Sequence, residues 1–180
     1  FDNQINAIKI LRKIIDKKIK IYVKEHPKQL SPFTGDVRQI NSRSIDDYLM
    51  INKLENCELL DISIDTNEII KNAQINFTIS GTLAWQSLLQ SVPSVTFSNT
   101  WHSNCKSSPV IEKDLSHAVD QVNELFKKKR QDVSNDLNLF QENIRDKLFF
   151  TSISELEIRE SSNDDNLLKE NLYKAFTGVI

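Results

Sequence analysis

The 180-residue chain is 39% apolar and 27% charged, with a formal net charge of -2. That is the composition of a globular domain with one core, not of a disordered or fibrous chain. So balanced a charge says little about partners, because only a strongly basic surface would argue for nucleic acid, and no nucleic-acid partner is expected. Cys57 and Cys105 stand far apart without C-x-x-C spacing, which argues against a zinc site or a disulfide framework and fits a reducing compartment.

No run reaches the roughly 18 to 20 apolar residues of a membrane span, and the amino terminus lacks a signal-peptide pattern. The chain opens on Phe1 and not on Met, from which a longer parent chain is expected.

Residues 3–18 place Ile5, Ile8, Leu11 and Ile15 at steps of three and four, predicting a helix with one buried face. A β-branched run at 19–23 stops at His26-Pro27, where proline cannot donate to a ladder, and predicts a strand ending in a loop. Residues 31–42, with Pro32 and Gly35, read as a turn-rich loop. A helix at 45–54 and a strand at 57–61 follow. Asp65 with Glu68 three residues later makes a capping box that opens a short helix ending near Ala73.

A strand at 75–79 is then interrupted by Ser80-Gly81-Thr82, residues 83–90 return to helical spacing, and 94–97 form a strand after Pro93. Beyond it, Leu115, Ala118, Val119, Val122 and Phe126 make one helical stripe, and Leu137, Phe140, Ile144 and Leu148 a second. Leu168, Leu172 and Phe176 make a third after the polar break at 161–165. The basic run at 127–130 ends a predicted helix, where positive charge complements the macrodipole.

Strands alternating with helices at this spacing predict βαβ units. The expected fold is α/β, a Rossmann-like parallel sheet flanked by helices over residues 1–130, with a carboxyl-terminal helical extension packed on it over 131–180.

Gly81 sits where a strand must turn into a helix. In open α/β sheets ligands bind outside the carboxyl ends of the strands, and a helix amino terminus there offers backbone N–H groups to a phosphate. Ser80 and Thr82 would add hydroxyls. The alternative is an ordinary Ser or Thr cap with a glycine turn. His26 lies at the carboxyl end of an earlier strand, hence on the same rim if the strands are parallel, and can donate to a phosphate or to a ribose or base oxygen. Lys24 and Glu25 alternate beside it, so at most one of them shares its direction.

Other residues carry blander expectations. Trp85 falls inside a helix and reads as a core anchor, whereas Trp101 and His102 sit in a polar loop near the rim, with binding and structural roles both open. His117 should face solvent. Asp61 reads as a turn residue and Asp65 as a cap, and neither belongs to a metal cluster. Neither a Ser-His-Asp signature, a P-loop nor a G-x-G-x-x-G is present.

Taken in order, Tyr22-Val23-Lys24-Glu25-His26-Pro27, Asp65-Thr66, Thr78-Ile79-Ser80-Gly81-Thr82-Leu83-Ala84-Trp85-Gln86, Pro93-Ser94-Val95-Thr96-Phe97 and Trp101 resemble the capsule polysaccharide biosynthesis family. The resemblance implies the carboxyl-terminal half of a GT-B glycosyltransferase, two Rossmann-like domains facing a cleft, with the donor nucleotide held mainly by the second. Several members of that family are Kdo transferases using CMP-Kdo.

By that resemblance His26 contacts the donor phosphate or nucleotide and serves as the catalytic group, while Ser80, Gly81 and Thr82 bind phosphate. Gln86, where family members usually carry Glu, faces the ribose; it can hydrogen-bond a hydroxyl but lacks a carboxylate's charge. Lys24, Glu25, Trp101 and His102 are secondary candidates, and Ser98 and His102 replace the more usual Gly and Tyr.

The implied partners are a nucleotide-activated sugar, CMP-linked in preference to UDP-linked, a saccharide or glycolipid acceptor, and an amino-terminal GT-B domain of the same protein. No cofactor and no metal are expected, and the location implied is cytoplasmic, free or peripherally on the inner-membrane face. Two alternatives stand beside transfer, a nucleotide-sugar epimerase of similar form and a non-catalytic scaffold module of a polysaccharide assembly complex.

Overall fold

The computed structural model describes residues 4–25 and 45–145. The elements run α1 (Gln4–Ile14), β1 (Ile21–Val23), α2 (Ile45–Lys53), β2 (Cys57–Leu59), α3 (Thr66–Asn72), β3 (Asn76–Thr78), α4 (Leu83–Leu89), β4 (Ser94–Thr96), α5 (Leu115–Lys127) and α6 (Arg130–Ile144). The chain divides into two compact units after Asn138, inside α6, and the first holds all four strands and helices α1 to α5. The loop expected at 31–42, His26-Pro27, and the stripe positions Leu148, Leu168, Leu172 and Phe176 lie outside the described residues.

The alternation of helix and strand, and the parallel direction, are as expected, so the protein is mixed α/β. Its ladders are smaller than one continuous sheet. Among the described residues β1 pairs with β2 from Ile21 opposite Cys57 to Val23 opposite Leu59, and β3 pairs separately with β4 from Asn76 opposite Ser94 to Thr78 opposite Thr96.

Each strand has three residues; among the described residues no ladder joins the two pairs, whose side chains share one core. Ile21 of β1 and Phe77 of β3 pack against one core built from Ala7, Leu11 and Ile14 of α1, Val95 of β4, and Ala118, Val122 and Leu125 of α5. Burying each of the larger aliphatic side chains contributes about 1.5–3 kcal/mol.

On its other edge β4 has a third, irregular partner. Ser94 N–H donates to Ser107 O at 2.9 Å, Thr96 N–H to Pro109 O at 3.1 Å, and Ile111 N–H to Thr96 O at 2.8 Å, with a parallel bridge between Thr96 and Val110. The polar segment after residue 105 therefore continues this half of the sheet.

Helix ends are closed by side chains. Asp65 caps α3, its carboxylate accepting from Asn67 N–H at 2.6 Å, while Glu68 of the expected capping box turns to Lys71 at 3.5 Å. Asp114 caps α5, accepting from Ser116 N–H at 2.8 Å and His117 N–H at 3.3 Å. Leu115, placed on the buried stripe by its spacing, is 48% exposed, because it opens the helix before the face turns inward. His117 is exposed, as read.

Two arginines brace the ends that carboxylates cannot. Arg12, 8% exposed, donates to Ile15 O and Asp16 O at the carboxyl end of α1, both at 2.7 Å, and to Ile19 O at 3.0 Å and Glu55 O at 3.4 Å, just ahead of β1 and β2. Such charge-assisted bonds satisfy carbonyls that the helix itself leaves open.

Arg130 bonds Gln90 O at 3.0 Å and Lys71 O, closing the ends of α4 and α3 together. The basic run thus does act on helix carboxyl ends, but largely on those of other helices. Lys128, next to it, pairs with Asp136, which also accepts from Ser107 Oγ at 2.6 Å.

No helix among the described residues is long and apolar enough to cross a membrane.

Candidate functional site

Strand β3 leads through Ile79 into the exposed turn Ser80-Gly81-Thr82 and then into α4. Glycine fits this turn closely, since a Cβ on Gly81 would lie 3.2 Å from Thr78 Oγ1, which would have to shift by a few tenths of an ångström. Thr82 occupies the N-cap position with helical angles (φ -62°, ψ -16°) and makes no side-chain cap bond. Of the Ser or Thr cap that is the alternative reading of this turn, the bond from Thr82 is therefore not made. Gln86, one turn on, is exposed.

The loop after β4 returns to this turn. Phe97 N–H donates to Thr78 O and Ile79 O at 3.2 and 3.0 Å, and Ser98 Oγ donates to Ile79 O at 3.1 Å. These bonds bring the following Trp101 and His102 beside α4. Trp85, read from its helical position as a core anchor, is only half-buried; its ring centre is 4.5 Å from that of Trp101 at 54°. Trp101 is 59% exposed and meets the His102 ring edge-on at 5.3 Å, and Trp85 lies 6.2 Å from His102. The correction has a simple cause, since an indole on the first turn of a short helix can face the neighbouring loop as readily as the core.

His102 is 2% exposed. Its Nδ1 lies 3.1 Å from Ser108 Oγ and 3.2 Å from Thr100 Oγ1. Ser108 Oγ lies 2.8 Å from Ser94 Oγ, which donates to Ala84 O at 3.2 Å. Burial pushes the His102 pKa below its usual 6.5, so the ring is neutral at pH 7.

The other rim residues are arranged differently. Lys24 Nζ donates to Ile62 O at 2.8 Å. Glu25 is 7% exposed, accepts from Tyr48 Oη at 3.2 Å, and lines a pocket of about 250 Å³ with Tyr48, Leu59, Leu60 and Ile62 at the carboxyl ends of β1 and β2. Of the two neighbours, Glu25 is the one that borders a pocket, and Lys24 holds the loop after β2. The position of His26 relative to Ser80 lies outside the described residues.

Asp61 is the turn residue it was read as, accepting from Ser63 Oγ at 2.6 Å and Ser63 N–H at 2.8 Å, bonds that hold its carboxyl below the usual range. Among the described residues no three His, Cys, Asp or Glu side chains converge as metal ligands would.

The structure thus brings Ser80, Gly81, Thr82, Gln86, Trp101 and His102 to one neighbourhood around the first turn of α4, and sets Lys24 and Glu25 at the end of the other strand pair. Sequence reasoning missed Ser94, Ser108 and Thr100, which fix the imidazole. Serines in a polar stretch look like loop, and only the burial of Ser94 and Ser108 marks them as partners.

In comparison with known proteins, the chain matches no family model, no curated protein and no solved structure.

Proposed function

We propose that this chain is the donor-nucleotide-binding half of a GT-B-type glycosyltransferase of bacterial surface-polysaccharide synthesis, with a CMP-linked sugar as the favoured donor. In this reading the two parallel strand pairs are the centre of a Rossmann-like half-fold. The observation that carries it is the exposed Ser80-Gly81-Thr82 turn closing β3 into α4, flanked by the Trp85–Trp101 pair. Hydroxyl and amide donors suit a phosphate, and an exposed indole suits a base or sugar ring.

Catalysis would then be mostly electrostatic. Amides of Gly81 and Thr82, with His26, stabilise charge building on the departing nucleotide, a leaving-group effect that a helix terminus can supply without a cation. Gln86 accepts or donates a hydrogen bond to a ribose hydroxyl. The saccharide or glycolipid acceptor and its site belong to an amino-terminal partner domain.

Calorimetric titration with CMP, UDP and GDP tests the reading. CMP is expected to bind, and His26→Ala and Thr82→Val to weaken it about tenfold each, the loss of one hydrogen bond to a charged group. Absence of binding by all three nucleotides overturns the proposal. Release of free nucleotide from a nucleotide sugar only when an acceptor saccharide is added distinguishes transfer from epimerisation.

A further inference from the structure

The buried polar chain beneath the indole pair admits one placement of its hydrogens that makes every one of its contacts a hydrogen bond. A serine hydroxyl has a single hydrogen, and a neutral imidazole has one N–H and one bare nitrogen. Ser94 spends its hydrogen on the Ala84 carbonyl, 3.2 Å away, because a carbonyl can only accept. The 2.8 Å contact between Ser94 and Ser108 must then use the hydrogen of Ser108. The 3.1 Å contact from Ser108 to His102 Nδ1 has no hydrogen left but that of the ring.

Nδ1 is thus the protonated nitrogen. Thr100 Oγ1, 3.2 Å from the same atom, shares that N–H as a second acceptor and turns its own hydrogen to Ser103 Oγ at 3.0 Å. Ser103 Oγ also accepts from Thr100 N–H at 2.8 Å, so each contact of the chain has one donor and one acceptor. Ser94, Ser108 and His102 are all buried, where bulk water does not reshuffle such an order.

We infer that Ser94 and Ser108 are positioning residues that lock His102 as the Nδ1–H tautomer, so that Nε2 is the bare, accepting nitrogen of the buried ring. The order is set from Ala84, the residue before Trp85, so the helix turn that carries one indole also fixes the ring lying against the other.

Nitrogen-15 spectra of the side chain at pH 8, without ligand, test the lock. The intact protein is expected to show a protonated Nδ1 and a bare Nε2. In Ser94→Ala the hydrogen of Ser108 is freed to donate to Nδ1, and the Nε2–H form should appear; Ser108→Thr, which keeps the hydroxyl, should retain the original pattern. Ser63→Ala, on the turn after β2 and away from the chain, should leave it unchanged. A protonated Nε2 in the intact protein, or a Ser94→Ala spectrum identical to it, overturns the lock, and the first of these needs no variant to fold.

Discussion

The two strand pairs share a direction and a length but differ in what surrounds them. β1 and β2 are half-exposed, and their flanks carry solvent-facing ion pairs, Lys17 with Glu55 and Lys20 with Glu58. β4 is buried throughout, flanked by β3 on one side and by the segment ending at Ile111 on the other, with a hydroxyl–imidazole chain inside it. Equal ladders therefore do not mean equal stability. Charges at the surface are screened and contribute little, whereas buried polar groups raise the stakes of every bond they make.

The contrast can be broken hardest in the β3–β4 half. Leu88, fully buried on α4, leaves a cavity when cut to alanine, and Leu88→Ala should cost about 3 kcal/mol in denaturant unfolding. A smaller loss should come from acid. His102 is held neutral by burial, with its pKa below the usual 6.5, so the unfolded chain binds its proton more readily than the folded one. Its contribution is whole above about pH 6.5 and is lost as pH falls through the lower, folded value.

Asp136 adds a second step of the same sign. Burial alone would raise its carboxyl, but hydrogen bonds from Lys128 and Ser107 outweigh it and hold the group below 3.8, so this stabilisation is lost as pH falls through the folded value. Hydrogen exchange should show α4 and β4 losing protection before β1 and β2 as the solution is acidified from pH 7. Equal loss in both halves would remove the distinction. The smallest effect belongs to the outer pair. Lys20→Ala removes an exposed partner of Glu58 and should leave the unfolding midpoint unchanged.

Much of this division could be read in the residues. Periodic apolar positions located α1, α4 and α5, and Asp65 announced the start of α3. Asp114, just ahead of the stripe that opens at Leu115, carried the same kind of signal and was overlooked. Which strand pairs with which could not be read, since pairing is decided by non-local contacts that three-residue runs do not encode.

Arg12 was equally illegible. Among Lys9 and Lys13 it looks like one more surface cation, and its partners are backbone carbonyls that any sequence presents. At the candidate site the turn at Gly81 was visible because a scarce glycine stood at a strand-to-helix change. The joining of Trp85 to Trp101 was not, because a loop brings them together.

Helix α4 is fastened at both ends, by Arg130 on the Gln90 carbonyl and by Ser94 on the Ala84 carbonyl. A short helix so clamped behaves as a strut and cannot pivot to meet a visitor. Any molecule docking at its amino end encounters a surface already in its final shape, and the entropy of ordering that surface has been spent during folding. Association there would be governed by diffusion and orientation, and the complex and the empty protein should superimpose across this element.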